Sequence, residues 1–305
     1  MKKKVIVFGS LNMDLSISCE SMPSLGETLK GGHFLQNPGG KGGNQAVAAA
    51  KLRAATYILG KVGNDIFGDE LKKALISYGV NCDYLLEGPS SSGVAVIIRT
   101  SGDNRIIIDP GANSTLTTYE ITPLLKDLAD PNDIFVTQLE CPKETTFNLL
   151  KLAKELGMKT IFNPAPADKL PISLYNYVDY LVVNQTECEM ITGILPTDEK
   201  ECTKALGILA SYNLIPIITM GIMGSMAIEN GEVIKIKSMT VKAVDTTSAG
   251  DTYIGALASC LSTDKSLKEA MDFAAKAAAI TVTTVGAQKS IPTLECVQSF
   301  NFEEI

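Results

Sequence analysis

Residues 243–252 read Ala-Val-Asp-Thr-Thr-Ser-Ala-Gly-Asp-Thr and are followed directly by an apolar, helix-forming run. The small residues Ser248, Ala249 and Gly250 leave backbone N–H groups free at a helix N-terminus, where the helix dipole favours an anion. Asp251 stands in the first turn of that helix. A carboxylate inside an anion-binding turn suits a base that removes a hydroxyl proton while the amides stabilise a phosphoryl group. Taken alone, the segment is explained equally well as the acidic first turn of an ordinary helix.

A second glycine cluster favours the phosphoryl interpretation. Residues 37–46 read Asn-Pro-Gly-Gly-Lys-Gly-Gly-Asn-Gln-Ala and lead into a predicted helix at Val47 to Leu52. Four glycines around Lys41 allow the backbone to approach a ligand closely, and Asn44 can cap the helix or bind a hydroxyl group. The spacing matches neither a Walker A loop nor the Gly-x-Gly-x-x-Gly dinucleotide motif. Two glycine-rich turns, each ahead of a helix, indicate phosphate binding much more strongly than either turn alone.

Composition excludes several classes of protein. The chain has 305 residues, 45% of them apolar, and a formal net charge of −7, so it can bury a large core and has no basic surface typical of nucleic-acid binding. No apolar run approaches the ~18 residues of a membrane span, and no signal-peptide core follows the N-terminal lysines. We therefore expect a single-domain protein over residues 1–305, in the cytoplasm, without nucleic-acid or membrane partners.

The cysteines and the single histidine limit the kinds of metal site and catalytic site that we expect. The seven cysteines are scattered without a Cys-x-x-Cys pair, which disfavours disulfides and zinc sites. The single histidine, His33, lacks a Gly-x-Ser-x-Gly partner, so a Ser-His-Asp triad is not expected. Acid–base catalysis is then left to carboxylates, which again favours Asp251.

Apolar runs and helical patterns alternate along the chain and predict a doubly wound, mostly parallel α/β sheet flanked by helices. The predicted strands are Val5–Phe8, Tyr57–Lys61, Ile134–Gln138, Thr160–Asn163, Tyr180–Asn184, Ile215–Met220 and Val233–Val241. The predicted helices are Ile66–Ser77, Pro142–Leu156, Glu199–Ser211, Ala249–Leu261 and Ser266–Val285.

Two segments, about 12–35 and 92–109, interrupt this alternation and predict a small antiparallel β lid. Their strands are expected at Leu15–Ser18, Leu29–Phe34, Gly93–Arg99 and Arg105–Ile108, with the second hairpin turning at residues 101–104. A pair of hairpins without function is the alternative, which Asn12 and Asp14 at the base of the lid disfavour.

The motifs as a set resemble those of the ribokinase-like (PfkB) carbohydrate kinases. The likeness rests mainly on residues 39–46 and 245–252, and further motifs follow in the family's order across nearly the whole chain. These are Gly9-Ser10-Leu11-Asn12-Met13-Asp14, Gly26-Glu27-Thr28, Gln138-Leu139-Glu140, Asn163-Pro164-Ala165-Pro166, Asn184-Gln185-Thr186-Glu187 and Gly286-Ala287-Gln288. Tyr253 and Ile254 depart from the family's usual Phe and Asn, which leaves local packing and finer substrate preference open.

The resemblance implies ATP-dependent phosphorylation of D-ribose at O5, giving ribose 5-phosphate and ADP, beneath a lid through which two copies form a homodimer. It implies Asp251 as the base, with the Ala249 and Gly250 amides as the anion hole. The implied sugar contacts are Asn12, Asp14, Gly40, Lys41, Asn44, Glu140 and Asp251. For Glu140, a capping role before Pro142 is an equally weighted alternative.

The same resemblance implies a nucleotide site and two kinds of cation. Glu187 would arrange Mg²⁺ through water, with a plain first turn of a helix as the alternative. The implied nucleotide contacts are Asn184, Glu187, Thr219, Gly221, Gly224, Ala249, Gly250 and Ala274. The implied K⁺ ligands are Asp245, Thr247, Thr281, Thr284, Gly286 and Ser290, with an inert connecting loop as the alternative.

Three other functions are weighed against this one. A sugar kinase of the same fold acting on deoxyribose, fructose, a nucleoside or a sugar phosphate is the nearest. A non-catalytic sugar-binding protein is disfavoured because Asp251 and the anion-binding turn are intact. A dehydrogenase is disfavoured because its dinucleotide motif is missing.

Overall fold

A computed structural model of the chain describes residues 3–100 and 103–302. Its strands are β1 (Lys4–Phe8), β2 (Asn12–Ser18), β3 (Gly32–Gly39), β4 (Ala55–Gly63), β5 (Leu85–Gly88), β6 (Gly93–Thr100), β7 (Asp103–Asp109), β8 (Ile134–Thr137), β9 (Lys159–Phe162), β10 (Tyr180–Asn184), β11 (Ile215–Thr219), β12 (Ser225–Glu229) and β13 (Glu232–Ile236). Its α-helices are α1 (Lys41–Lys51), α2 (Ile66–Ser77), α3 (Thr118–Leu128), α4 (Lys143–Glu155), α5 (Gln185–Thr192), α6 (Glu199–Ala210), α7 (Ala249–Leu261), α8 (Leu267–Thr281) and α9 (Leu294–Ser299).

Strand β1 shows why the apolar runs are continuous. Successive side chains of a strand point to opposite faces of the sheet, and each face here is covered by helices. Val5 and Val7 pack into one core, which includes residues of α1, α2, α7 and α8. Ile6 and Phe8 pack into the other core, which includes residues of α3, α4 and α6. Every one of these four side chains is fully buried.

The main sheet has nine strands in the order β13-β12-β11-β10-β9-β8-β1-β4-β5. Strand β1 pairs parallel with β4 and β8, and the strands from β8 to β11 also pair in parallel. Only β12 and β13, at one edge, run antiparallel to their neighbours. The predicted doubly wound, mostly parallel α/β sheet is confirmed.

A separate sheet of four strands, in the order β3-β2-β6-β7, is called the small sheet below. The pairs β2–β3 and β6–β7 are antiparallel, as predicted, and the central strands β2 and β6 run parallel. Strand β3 extends to Gly39, so the small sheet reaches the glycine cluster. The turn predicted at residues 101–104 falls partly on residues 101 and 102, which lie outside the described residues.

Two predicted elements extend past the C-terminal end of the observed element by four residues or more. The strand expected to run to Val241 ends at Ile236, because its partner β12 begins at Ser225 and the chain before it turns away at Gly224 with φ 89°. The helix expected to reach Val285 ends at Thr281. The Val282 carbonyl accepts hydrogen bonds from the Val244 and Asp245 amides at 2.7 and 3.2 Å, and these tertiary contacts replace a further helical turn.

Within residues 3–100 and 103–302, no helix combines the length and the apolar character that crossing a bilayer requires.

Candidate active site

Helix α7 begins with an open turn of backbone amides. Its N-cap residue, Ser248, has φ 61°, and the helix starts at Ala249 with Asp251 in its first turn. A cavity of about 260 Å³ is lined by Ser248, Ala249, Gly250 and Asp251. Across the cavity lie Lys41, Asn163, Asn184, Glu187 and Thr219, which come from distant parts of the chain. Lys41, from the first glycine-rich segment, thus lines the same cavity as the turn at the start of α7.

Two side-chain amides hold the Asp251 carboxylate, which is 9% exposed. Asn44 Nδ2 donates to Oδ2 at 3.0 Å, and Gln45 Nε2 donates to Oδ1 at 3.0 Å. Each carboxylate oxygen thus has one neutral donor. This arrangement fixes the carboxylate and leaves it room to accept a proton from a bound hydroxyl group.

Helix α1 begins earlier than predicted, at Lys41, with Gly40 as its N-cap residue at φ 84°. Gly42 therefore lies inside the helix, where a Cβ atom would stand 2.6 Å from the Gly9 Cα atom. This close approach to the loop after β1 outweighs the low helix propensity of glycine. The expectation of a helix that starts at Val47 is wrong in this respect, and of the two roles considered for Asn44 the capping role is wrong. Asn44 is a helical residue whose amide donates to Asp251.

The carboxylates of Asp14, Glu140 and Asp251 lie close enough to influence one another on the side of the site next to the small sheet. The pKa of Asp14 is raised from 3.8 to about 7, by burial first and then by the negative charges of Glu140 and Asp251. Glu140 does not cap α4, whose N-cap residue is Pro142. Its carboxylate instead accepts hydrogen bonds from Ser10 Oγ and from the Lys41 amide, the latter at 3.2 Å.

Lys41 is the cation among these acids. Burial lowers its pKa, but the negative charges of Asp251, Glu140 and Glu187 outweigh that effect and leave the pKa above its usual value. Its ammonium group therefore carries a full charge at neutral pH, beside the cavity.

Asn12 is 3% exposed, at the first residue of β2, and pairs in register with both Gly39 and Gly93. Its Oδ1 atom accepts from Asn113 Nδ2 at 2.9 Å. Asn113 also exchanges hydrogen bonds with the Leu11 backbone, at 2.9 and 3.0 Å. One of the two lone pairs of Asn12 Oδ1 is therefore already used within the protein.

Asn184 and Glu187 form the capping box of α5. The Glu187 carboxylate accepts from Asn184 N and Nδ2, both at 2.9 Å, and from Asn163 Nδ2 at 3.3 Å. Burial raises the pKa of Glu187 above its usual value, with these bonds and the Lys41 charge acting against it. Glu187 therefore has the ordinary capping role at the start of α5 and also lies on the cavity wall.

The remaining predicted nucleotide residues lie partly on the cavity wall and partly outside it. Thr219 ends β11 on its wall, whereas Gly221 and Gly224 form the following turn, at φ 56° and 89°. Ala274 is fully buried in the core on α8, so the structure does not bring its side chain to the cavity.

The predicted K⁺ ligands lie in two segments that contact each other. Asp245 Oδ1 accepts from Thr247 N and Oγ1 at 2.9 and 2.6 Å, and Asp245 Oδ2 accepts from Gly286 N at 3.1 Å. Burial raises the pKa of Asp245, but these hydrogen bonds and the Arg99 charge outweigh it and lower the pKa.

The remaining members lie at the edges of this loop. Ser290 Oγ donates to the Gly286 carbonyl at 2.6 Å, and Thr281 Oγ1 contacts Thr252 Oγ1 at 3.0 Å. Thr284 is exposed and donates its amide to the Thr281 carbonyl at 3.3 Å. In the described part of the chain, no three His, Cys, Asp or Glu side chains cluster as a metal site.

Sequence reasoning assigned no role to four buried polar residues of the site. Gln45 and Gln138 stand behind Asp251, Asn113 holds Asn12, and Asn163 holds Glu187. Gln45, Gln138 and Asn163 fall inside recognised motifs, and a polar side chain next to apolar runs was the available signal. Asn113 lies outside these motifs, and the sequence around it offers no comparable signal.

Comparisons with known proteins identify the family of the chain. The model of the pfkB family of carbohydrate kinases matches residues 2–294. A ribokinase from Haemophilus influenzae is 36% identical over 296 residues, covering 96% of both chains. A deoxyribokinase from Salmonella typhi is 37% identical over 300 residues, covering 95% of this chain and 96% of its own.

The solved structure of an Arabidopsis thaliana ribokinase complexed with ribose and ATP superposes with a TM-score of 0.89 at 30% identity, covering 99% of this chain and 100% of that one. The family model, the relatives and the structural match all extend over nearly the full length. The chain belongs to the pfkB family of carbohydrate kinases.

Proposed function

We propose that this protein transfers the γ-phosphoryl group of ATP to O5 of D-ribose, giving ribose 5-phosphate and ADP. The observation that carries the proposal is the meeting of Lys41, Glu187 and the first turn of α7 around one cavity, with Asp251 held between two amides. Similarity to a ribokinase over 96% of the chain supports ribose as the acceptor. Similarity to a structure containing ribose and ATP supports the pair of substrates.

In the proposed reaction, Asp251 accepts the proton of the O5 hydroxyl group. The oxygen forms a bond to the γ-phosphorus while the bond to the leaving oxygen breaks and ADP departs. The amides of Ala249 and Gly250, with the Lys41 ammonium group, stabilise the developing negative charge. The sugar is bound by fixed polar groups, which reject analogues that would leave them unpaired. These groups belong to Asn12, Asp14, Gly40, Asn44 and Glu140.

We assign the nucleotide to the cavity wall at Asn184 and Thr219 and to the adjoining turn of Gly221 and Gly224, with Glu187 beside its phosphates. Three hydrogen bonds already fill much of the Glu187 carboxylate, which suits Mg²⁺ held through water. Mg²⁺, when bound, offsets the negative charge of the phosphates.

We assign a K⁺ site to the loop of Asp245 and Gly286, with Thr247, Thr281, Thr284 and Ser290. The hydrogen bond from Gly286 N to Asp245 Oδ2 supports it, because it joins the two segments just before the anion-binding turn. The ion would rigidify that turn and not contact the sugar.

Measuring ADP release from ATP with D-ribose, 2-deoxyribose, fructose and adenosine, each in K⁺ and in Na⁺, tests the proposal. We expect ribose to give the highest kcat/KM and K⁺ to raise it. Turnover that is equal in Na⁺ and K⁺ would remove the K⁺ site alone. The absence of turnover on all four acceptors would contradict the proposed function.

The proposed base has its own test. Asp251→Asn should lower kcat by at least ~100-fold and leave ribose affinity nearly unchanged, given typical general-base contributions. Isothermal titration with ribose separates the two effects. Turnover close to that of the wild type would reject Asp251 as the base.

A deoxyribokinase activity is the second candidate, because a deoxyribokinase is as similar to this chain as the ribokinases are. A higher kcat/KM for 2-deoxyribose than for ribose would favour it.

A further inference from the structure

Two buried glutamines stand in line behind the Asp251 carboxylate. Gln138 Nε2 donates to Gln45 Oε1 at 2.6 Å, and Gln45 Nε2 donates to Asp251 Oδ1 at 3.0 Å. Gln45 is 0% exposed and Gln138 is 1% exposed. Among the described residues, neither belongs to the cavity wall.

This line has only one consistent direction. Because Gln138 donates to the oxygen of the Gln45 side chain, Gln45 must turn its NH₂ group toward Asp251. The reversed amide would place its oxygen against a carboxylate oxygen and its NH₂ group against another NH₂ group. Gln138 thus fixes the orientation of Gln45, and Gln45 fixes one oxygen of Asp251.

The other carboxylate oxygen has different surroundings. Oδ2 accepts from Asn44 Nδ2 at 3.0 Å. The Asn44 Oδ1 atom is buried and has no hydrogen-bond partner within the described ranges, which leaves it able to accept from a ligand hydroxyl group. Oδ1 is therefore bound by an amide that the second buried glutamine holds, whereas the amide that binds Oδ2 belongs to a residue with an unused acceptor atom.

We propose that Gln45 is the positioning residue of the base: it binds Asp251 Oδ1 and thereby reserves Oδ2 as the atom that receives the hydroxyl proton. Gln138 supports it by holding its amide in the donating orientation. The inference rests on the proposed role of Asp251 and adds which oxygen acts and what keeps it in place. A charged hydrogen bond of this kind also favours the ionised carboxylate, the form that a base requires.

Gln45→Leu removes the donor at similar volume, and Gln138→Leu removes only its anchor. For Gln45→Leu we expect kcat at pH 7 to fall by about tenfold or more, the range typical of losing a hydrogen bond to a charged group, while the KM for the sugar changes little. We expect the acidic limb of the kcat–pH profile to move to higher pH by about one unit. Gln138→Leu should change both quantities in the same direction by smaller amounts.

The charged groups that face Asp251 stay constant in these variants. They are Lys41 on α1, Asp14 on β2 and Glu187 on α5, whose charges act on or respond to Asp251. Ser259→Ala is the matched control, because Ser259 Oγ donates to the Leu52 carbonyl at 2.9 Å and so joins the same two helices away from Asp251. The control loses a buried hydrogen bond and should keep the wild-type pH profile.

A double-mutant cycle of Gln45→Leu and Asp251→Ala in urea unfolding gives a readout that needs no activity. We expect a coupling of about fivefold or more in the unfolding equilibrium constant at pH 7, as for residues in direct contact. An unmoved acidic limb in both glutamine variants, or an equal shift in Ser259→Ala, would overturn the inference while Asp251→Asn remains inactive. Full activity of Asp251→Asn would instead remove the proposed base.

Discussion

Asp14 is a residue of the site whose ionisation responds to pH near neutrality. Burial and the charges of Glu140 and Asp251 raise its pKa to about 7. A sugar hydroxyl group that donates to this carboxylate favours the ionised form, so binding must displace a proton below that pH. In the proposed binding mode, ribose affinity and the charge of Asp14 are therefore linked.

We expect ribose to bind about tenfold more tightly at pH 8 than at pH 6, because the ionised fraction of Asp14 rises over that interval. Isothermal titration at several pH values measures the effect. Asp14→Asn should bind ribose more weakly and with a flat pH dependence. A wild-type affinity that is equally flat would show that the sugar does not use this carboxylate.

The same shift has a consequence for stability. A carboxyl group whose pKa is raised on folding holds a proton in the folded state that the unfolded chain has released, so its contribution to the free energy of unfolding falls as pH rises from 3.8 toward 7. Asp14→Asn should therefore gain stability relative to the wild type at pH 8 and lose that advantage at pH 4. Urea denaturation at the two pH values decides between this and a pH-independent difference.

At the scale of elements, α1 and α7 form the frame of the site, since α1 carries Lys41, Asn44 and Gln45 and α7 carries Asp251. The two helices touch at Gly255, where a Cβ atom would lie 2.6 Å from the Gln45 carbonyl oxygen and closer still to Ala48 Cβ. The two helices can approach this closely because Gly255 has no side chain, and the hydrogen bonds to Asp251 depend on that spacing.

Gly255→Ala should lower the free energy of unfolding by about 1–3 kcal/mol, as overpacking of a close contact does, and should reduce kcat as well. Gly207→Ala is the control, because in the described part of the chain nothing lies within 4 Å of a Cβ atom there on α6. That variant should be unchanged or more stable by up to ~1 kcal/mol. Equal effects of the two substitutions would show that the contact at Gly255 has no special cost.

The elements also show what sequence patterns can and cannot predict. The central strands were predicted well because burial on both faces leaves a strong apolar pattern. The helices Ile66–Ser77 and Ala249–Leu261 also have their predicted bounds. The start of α1 and the end of α8 were not predicted well, because tertiary contacts decide both: Gly42 packs on Gly9, and Val282 pairs with Val244. Within the site, motifs indicated Asp251 and Asn44, but the role of Gln45 depends on a partner 93 residues away along the chain.

On the scale of the whole molecule, the small sheet leaves large apolar side chains exposed. Ile106 and Ile108 point to one face of β7 and Ile107 to the other, by the alternation of a strand. The exposed set comprises Ile17, Phe34, Leu35, Val96, Ile106, Ile107 and Ile108, and Ile107 is 69% exposed. One face can cover the sugar, and we propose that the other pairs with a second copy, as the predicted homodimer requires.

Ile107→Glu combined with Phe34→Asp should convert the protein to a monomer in sedimentation equilibrium, because each places a charge in the proposed contact. Ile172→Glu, at a residue 67% exposed outside the small sheet, serves as the control and should leave the mass unchanged. A wild-type protein that sediments as a monomer at every concentration would contradict the proposed dimer.

The strand register of the small sheet connects the proposed sugar site with the proposed dimer contact. Asn12 pairs with Gly39 and with Gly93, and Asp14 pairs with Asn37 and with Ala95, so the first rows of the sheet contain residues that we propose to bind the sugar. The sheet cannot tilt away from the body without carrying Asn12 and Asp14 with it. A dimer formed through this sheet would then hold the binding residues in place, and by thermodynamic linkage ribose would strengthen the dimer by the same factor. Apparent ribose affinity would accordingly depend on protein concentration, and dilution alone would act as an inhibitor.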